Sequence, residues 1–114
     1  MQLKKTRQVL KSLADDTRLR IINLLDQRSL SVTELCNILE KNQSNISKHL
    51  TRLRLTGVVM DKRLGLNVYY ALSKTPQKWQ KTILKAITSD LSGISIFKKD
   101  ILKLKKLKQQ KKGR

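Results

Sequence analysis

The chain has 114 residues, 26 of them Lys or Arg against 8 Asp or Glu, a formal net charge of +18 at pH 7. That length supports one domain with a modest core, and charge of that sign and size selects a polyanionic partner: nucleic acid, an anionic membrane surface or an acidic protein. Aromatic residues at 4% disfavour single-strand recognition by base stacking, and no stretch approaches the roughly 20 apolar residues of a membrane span, so double-stranded DNA leads.

The expected elements run as follows. Leu3 to Leu13 places Leu3, Val9, Leu10 and Leu13 among basic residues, the pattern of a first helix lying against something else. Asp15 and Asp16 then precede Thr17 to Leu25, whose apolar positions 21, 22, 24 and 25 make a broad helical face with acids at the favourable end of its dipole. Residues 26–29 read as a break. Ser31-Val32-Thr33-Glu34 is a capping box opening a short helix that ends near Glu40.

Lys41-Asn42 leaves room only for a tight turn before the next helix, so residues 31–55 read as helix, turn, helix. Within 43–54, Ile46, Leu50 and Leu53 fall on one apolar stripe at 100° per residue, whereas Ser44, Asn45, Lys48 and Arg52 point away from it. Gly57 suits a left-handed cap. Val58 to Lys62 and Val68 to Leu72 are β-prone, and residues 63–67 between them contain the glycine a hairpin loop needs. Pro76 restarts the chain as a helix, with Trp79, Ile83, Leu84, Ile87 and Leu91 at helical spacing. After Ser92-Gly93, Phe97, Ile101 and Leu104 form a narrower stripe inside a basic run holding nine Lys or Arg between Lys98 and Arg114 against Asp100. The fold class is mainly α with a small β-hairpin, in the order α-α-α-α-β-β-α. Residues 1–92 are expected to form the domain with its dimerisation helices, and residues 93–114 a basic amphipathic C-terminal extension whose end is disordered.

That order, together with Leu13-Ala14-Asp15-Asp16-Thr17-Arg18-Leu19-Arg20-Ile21, Gln43-Ser44-Asn45-Ile46-Ser47-Lys48-His49-Leu50 and Tyr69-Tyr70-Ala71-Leu72, resembles the ArsR-type winged helix-turn-helix repressors over roughly residues 8–73. The resemblance implies a homodimer paired through its first and last helices that represses its own operon and releases DNA when an inducer, often a metal ion, binds. It places base reading on Gln43, Ser44, Asn45, Ser47 and Lys48, and the wing on Lys62, Arg63, Gly65 and Asn67. Gln and Asn can bond an adenine edge bidentately, and Lys or Arg a guanine. Lys41, Arg52 and Arg54 are expected on phosphates. Leu3, Leu10, Trp79, Ile83, Leu84 and Ile87 are the expected dimer contacts. Where relatives often carry arginine after the wing glycine, this chain has Leu66, and Arg63 is the substitute.

The metal sites implied by the family lack ligands here. Relatives that sense metals through thiolates have Glu-Leu-Cys followed by a second cysteine two residues on, and this chain has Glu34-Leu35-Cys36 followed by Ile38. The other family site needs a carboxylate and imidazoles on the last helix, and residues 76–91 offer Asp90 alone. No metal and no cofactor is expected, and no inducer is identified. Cys36 is a candidate thiol sensor or an inert half-buried residue. His49, the single histidine, is expected to pack or to contact phosphate. With one His and eight scattered acids, no nucleophile, phosphate loop or carboxylate pair can be assembled, so the chain is not read as an enzyme.

The functional reading is a sequence-specific, double-stranded DNA-binding transcriptional regulator, a homodimeric repressor acting by promoter occlusion, cytoplasmic and nucleoid-associated, with no membrane partner. The alternative is an architectural protein of slight sequence preference, dominated by its basic tail.

Overall fold

The computed structural model describes residues 2–74, 77–90 and 92–112, with side chains as far as Leu107. The expectations for Pro76, for Leu91 in the stripe that begins at Trp79 and for a disordered chain end lie outside these residues. Six helices and three strands are described: α1 (Leu3–Leu13), α2 (Asp16–Leu25), β1 (Leu30–Ser31), α3 (Val32–Leu39), α4 (Gln43–Leu55), β2 (Val59–Leu64), β3 (Asn67–Leu72), α5 (Lys78–Asp90) and α6 (Ser95–Lys112).

The helix boundaries follow local chemistry. Asp15 caps α2 by accepting from the Arg18 amide at 3.0 Å. In the capping box of α3, Ser31 Oγ accepts from the Glu34 amide at 3.1 Å and Glu34 Oε1 from the Ser31 amide at 3.0 Å. Asn42 caps α4 through the Asn45 amide at 2.8 Å. Beyond α4, Gly57 turns the chain with φ +77°, a value L side chains rarely adopt.

The core is a single cluster on which α2, α3 and α4 converge. Ile21, Ile22 and Leu24 of α2, Leu35 and Ile38 of α3, and Ile46, Leu50 and Leu53 of α4 are all essentially inaccessible to solvent. Burial of each such side chain is worth about 1.5–3 kcal/mol, so the stripe on α4 fixes which of its faces is left outside.

Three features differ from the sequence reading. The sheet has three strands in the order β1-β3-β2, all antiparallel, because Leu30 and Ser31 pair with Tyr70 and Tyr69. The hairpin is also tighter: Leu64 pairs with Asn67, leaving only Gly65 and Leu66 as the loop, so Arg63 and Leu64 lie in β2 and Asn67 in β3 rather than in a loop over residues 63–67. Gly65, at φ +63°, is the first of two loop residues, the position where a type II′ hairpin turn needs a positive φ. Finally, the first part of the basic extension is a helix docked on the domain. Phe97, Asp100 and Leu104 of α6 are buried, and Ile101 and Leu107 pack against the core cluster. Arg20 of α2 reaches across to Asp100 with two parallel bonds, Nε to Oδ2 and Nη2 to Oδ1, each 2.9 Å.

Candidate nucleic-acid interface

The side of α4 opposite its buried stripe carries the residues singled out for DNA. Gln43, Ser44, Asn45, Lys48 and Arg52 are exposed. Ser44, Asn45, Lys48 and Arg52 line one shallow concavity with Asn42, His49 and Arg18 of α2. The first turn of α4 borders the same concavity and adds the positive end of its dipole to the cations Arg18, Lys48 and Arg52. No acidic residue lines this concavity.

Not every expected residue gathers there. Ser47 is half-buried on the flank of the anchored stripe. Arg54 lies two residues, about 200°, past Arg52, and lines a different concavity with Gln2, Lys4, Lys5 and Gln80. Lys41 is half-buried in the turn, its amide bonded to the Cys36 carbonyl at 3.2 Å. Lys62, Arg63, Gly65 and Asn67 are exposed on the wing, as is Leu66 at its tip, which is 99% accessible.

Arg18 is the residue the sequence reading left out of the site. Its Nε donates to the Ser12 carbonyl and its Nη1 lies 3.1 Å from His49 Nδ1. A guanidinium only donates, so Nδ1 must present its lone pair, which assigns His49 as the neutral Nε2-protonated tautomer. The signal was present in Asp15-Asp16-Thr17-Arg18, but the reach to His49 spans 31 residues and two helices.

The ionisation of His49 agrees with that geometry. Burial lowers its pKa from the ordinary 6.5; Arg18 and Lys41 lower it further, while Asp15, 3.7 Å away, opposes them. Asp15 itself is held below its usual value: burial raises it, but the Arg18 amide, the Arg18 charge and the Thr17 amide outweigh that. Because the folded ring takes up a proton less readily than the unfolded chain, its contribution to stability is complete above pH 6.5 and is lost as the pH falls through 6.5 and then through the lower folded value. The melting temperature is therefore expected to fall between about pH 7 and pH 5, and His49→Gln to flatten that segment of the profile. The acid limb near pH 4 and below, where Asp15 and Glu40 protonate, should persist in the variant. A His49→Gln profile that superposes on the wild type above pH 5 contradicts this assignment.

Cys36 is half-buried on α3 against the core, and burial raises its pKa, which lowers the reactive thiolate fraction at neutral pH. Among the described residues no group of three or more His, Cys, Asp or Glu is placed to hold a metal ion, and no helix is long and apolar enough to cross a membrane.

On the outward side of α1, Leu3 and Leu10 are 79% and 46% exposed, an apolar surface left uncovered among the described residues. Trp79, Ile83 and Ile87 of α5 are half-buried. Leu84 is 6% exposed and belongs to the chain's own core.

A capped helix-turn-helix with an exposed polar and basic second helix, followed by an antiparallel hairpin, defines a winged helix-turn-helix protein. The family model described as "Bacterial regulatory protein, arsR family" matches residues 15–60. The arsenic resistance transcriptional regulator ArsR1 of Pseudomonas putida is 44% identical over 80 residues, covering 69% of this chain and 62% of the relative. The arsenical resistance operon repressor of Escherichia coli is 41% identical over 78 residues, covering 68% of this chain and 67% of the relative. The chain thus spans about two thirds of the length of these relatives. Among solved structures, the homodimeric winged helix-turn-helix DNA-binding domain of Mb0332 from Mycobacterium bovis superposes with a TM-score of 0.66 at 25% identity, covering 78% of this chain and 77% of that one. The chain belongs to the ArsR family, whose members are DNA-binding transcriptional regulators and not enzymes.

Proposed function

We propose that this chain is a sequence-specific, double-stranded DNA-binding repressor that works as a homodimer by occluding a promoter. The observation that carries the reading is the first turn of α4, where Gln43, Ser44 and Asn45 stand exposed beside Lys48, Arg52 and Arg18 on a helix locked by three fully buried side chains. A rigid helix with polar side chains at its amino end is what major-groove reading requires. Gln43, Ser44 and Asn45 read base edges, with Lys48 on a base or a phosphate. Arg18, Lys41, Arg52, Lys62 and Arg63 set register through phosphates, and Gly65 and Asn67 shape the wing.

Homodimer formation is supported by the exposed Leu3 and Leu10 on α1 and by the half-buried Trp79, Ile83 and Ile87 on α5, together with the homodimeric state of the Mycobacterium bovis relative. Pairing on these faces would set two reading helices about 34 Å apart, one turn of B-DNA, and so match an imperfect palindrome. The single cysteine per chain leaves a thiolate-rich metal site without its ligands, and regulation by such a site is not part of this reading.

The test is the double variant Gln43→Ala with Asn45→Ala, measured on a duplex selected from a random-sequence pool by the wild-type protein. Each bidentate base contact is worth about 1–3 kcal/mol of discrimination, so preference for the selected duplex over a scrambled one should drop on the order of 10²- to 10⁴-fold. Both side chains are exposed, so the melting temperature should not move. Unchanged discrimination in a folded variant would remove α4 from the role given to it.

A further inference from the structure

Beyond the helix-turn-helix and the wing, a third basic element lies against the reading head. Helix α6 runs antiparallel to α2: Phe97 O accepts from Asn23 Nδ2 at 3.4 Å, Asp100 meets Arg20, and farther along Lys103 reaches the end of α3. Lys103 Nζ donates to the Ile38 carbonyl at 3.4 Å and to Glu40 Oε2 at 3.0 Å. Glu40 is the left-handed cap of α3, at φ 56°, and stands two residues before Asn42, the cap of the reading helix. The second half of α6 is thus carried past the turn that delivers α4 to DNA.

Lys99, Lys103 and Lys106 recur at i, i+4 and i+7, a single stripe along this side of α6. Lys103 is engaged with Glu40, and the Lys99 charge also acts on Glu40, helping Lys103 to hold that carboxyl below its ordinary value. Lys99 and Lys106 are exposed and make no ion pair among the described residues. The one acid within the helix, Asp100, points inward and is spent on Arg20. Among the described residues Glu40 is the one acid paired with the stripe, and through it the stripe stands next to the turn that leads into the amino end of α4.

We propose that α6 is a third DNA-contacting element, in which Lys99 and Lys106 neutralise phosphates of the same duplex that α4 reads, outside the groove α4 enters, while Lys103 ties the helix to the turn. The assignment rests on the DNA-binding reading above. Its physical advantage is preorganisation: Phe97, Asp100 and Leu104 fix the helix before DNA arrives, so little backbone entropy is lost on contact. The same burial disfavours a lipid surface, because an interfacial helix must have its apolar face free, and here that face is taken by α2 and α3.

Truncation is the wrong experiment, since removing residues from 98 onward also removes Asp100 and Leu104 from the core. Charge removal is the right one. Lys99→Gln with Lys106→Gln should leave the melting temperature within error of wild type, since both side chains are exposed. The probe is a duplex selected by the wild-type protein, carried with about 10 base pairs of flanking sequence on each side. The variant should bind it at least tenfold more weakly at 50 mM salt, and the slope of log affinity against log salt should flatten by about 2 per protomer. Preference for selected over scrambled sequence should be unchanged, because phosphate contacts carry no sequence information. A folded variant with wild-type affinity and slope overturns the assignment, as does binding to phosphatidylserine vesicles that is lost in the variant while DNA affinity is retained. If the wild-type protein binds no duplex at all, the failure lies in the DNA-binding reading, and this one falls with it.

Discussion

Raising the salt concentration from 50 to 200 mM is expected to weaken binding to a selected duplex by about 10³- to 10⁵-fold, provided a dimer neutralises roughly 6 to 10 phosphates. Each protomer brings Arg18, Lys41, Lys48, Arg52, Lys62 and Arg63 to the reading head and the wing, so three to five contacts per protomer are within reach. The steepness follows from release of counterions condensed on DNA, which depends on the number of phosphates covered and not on base sequence. The Gln43→Ala, Asn45→Ala variant should therefore keep the wild-type slope even as it loses discrimination. Equilibrium titrations at four or five salt concentrations read both quantities at once. An affinity nearly independent of salt would mean that the +18 charge is not directed at a polyanion, and the functional reading would fail with it.

How far the sequence reveals this protein depends on the range of each interaction. The capping box at Ser31 and Glu34 and the stripe of Ile46, Leu50 and Leu53 are legible because cap and period act within one turn or one helix. Strand β1 is not legible: two residues carry no period, and Leu30-Ser31 is a strand only because Tyr69 and Tyr70 pass beside it. Composition alone makes residues 63–67 the hairpin loop, whereas cross-strand pairing, which acts between strands, continues to Leu64 and Asn67. Arg18 was missed because its partner lies on another helix. In α6 the lysine run hid the meaning of Asp100. Read along the sequence it is a lone acid in a basic stretch. In the fold it occupies the apolar face between Phe97 and Leu104, and its counter-ion is 80 residues away.

Asp100→Ala is expected to be among the most destabilising single substitutions in the chain. The Asp100 side chain has no solvent access and that of Arg20 has 16%, and their two parallel bonds raise the Arg20 pKa, chiefly through the hydrogen bonds to Asp100. Removing the carboxylate leaves a guanidinium largely desolvated and unpaired, which costs about 3–5 kcal/mol. Against a domain stability of about 5–15 kcal/mol that is a large share, and the melting temperature should drop by at least about 12 °C. Arg20→Met with Asp100→Leu separates charge from packing. With both charges gone no buried ion is stranded, and the double variant should melt near or above the wild type. If Asp100→Ala melts within about 2 °C of wild type, α6 is not held by this pair. If the double variant is as unstable as the single one, shape and not charge fixes the helix. DNA binding distinguishes the two variants further, because the stripe of Lys99, Lys103 and Lys106 keeps its place only while α6 stays docked: the double variant should retain the wild-type salt slope. Asp100→Ala, measured below its own melting temperature, should show a flatter slope as α6 detaches.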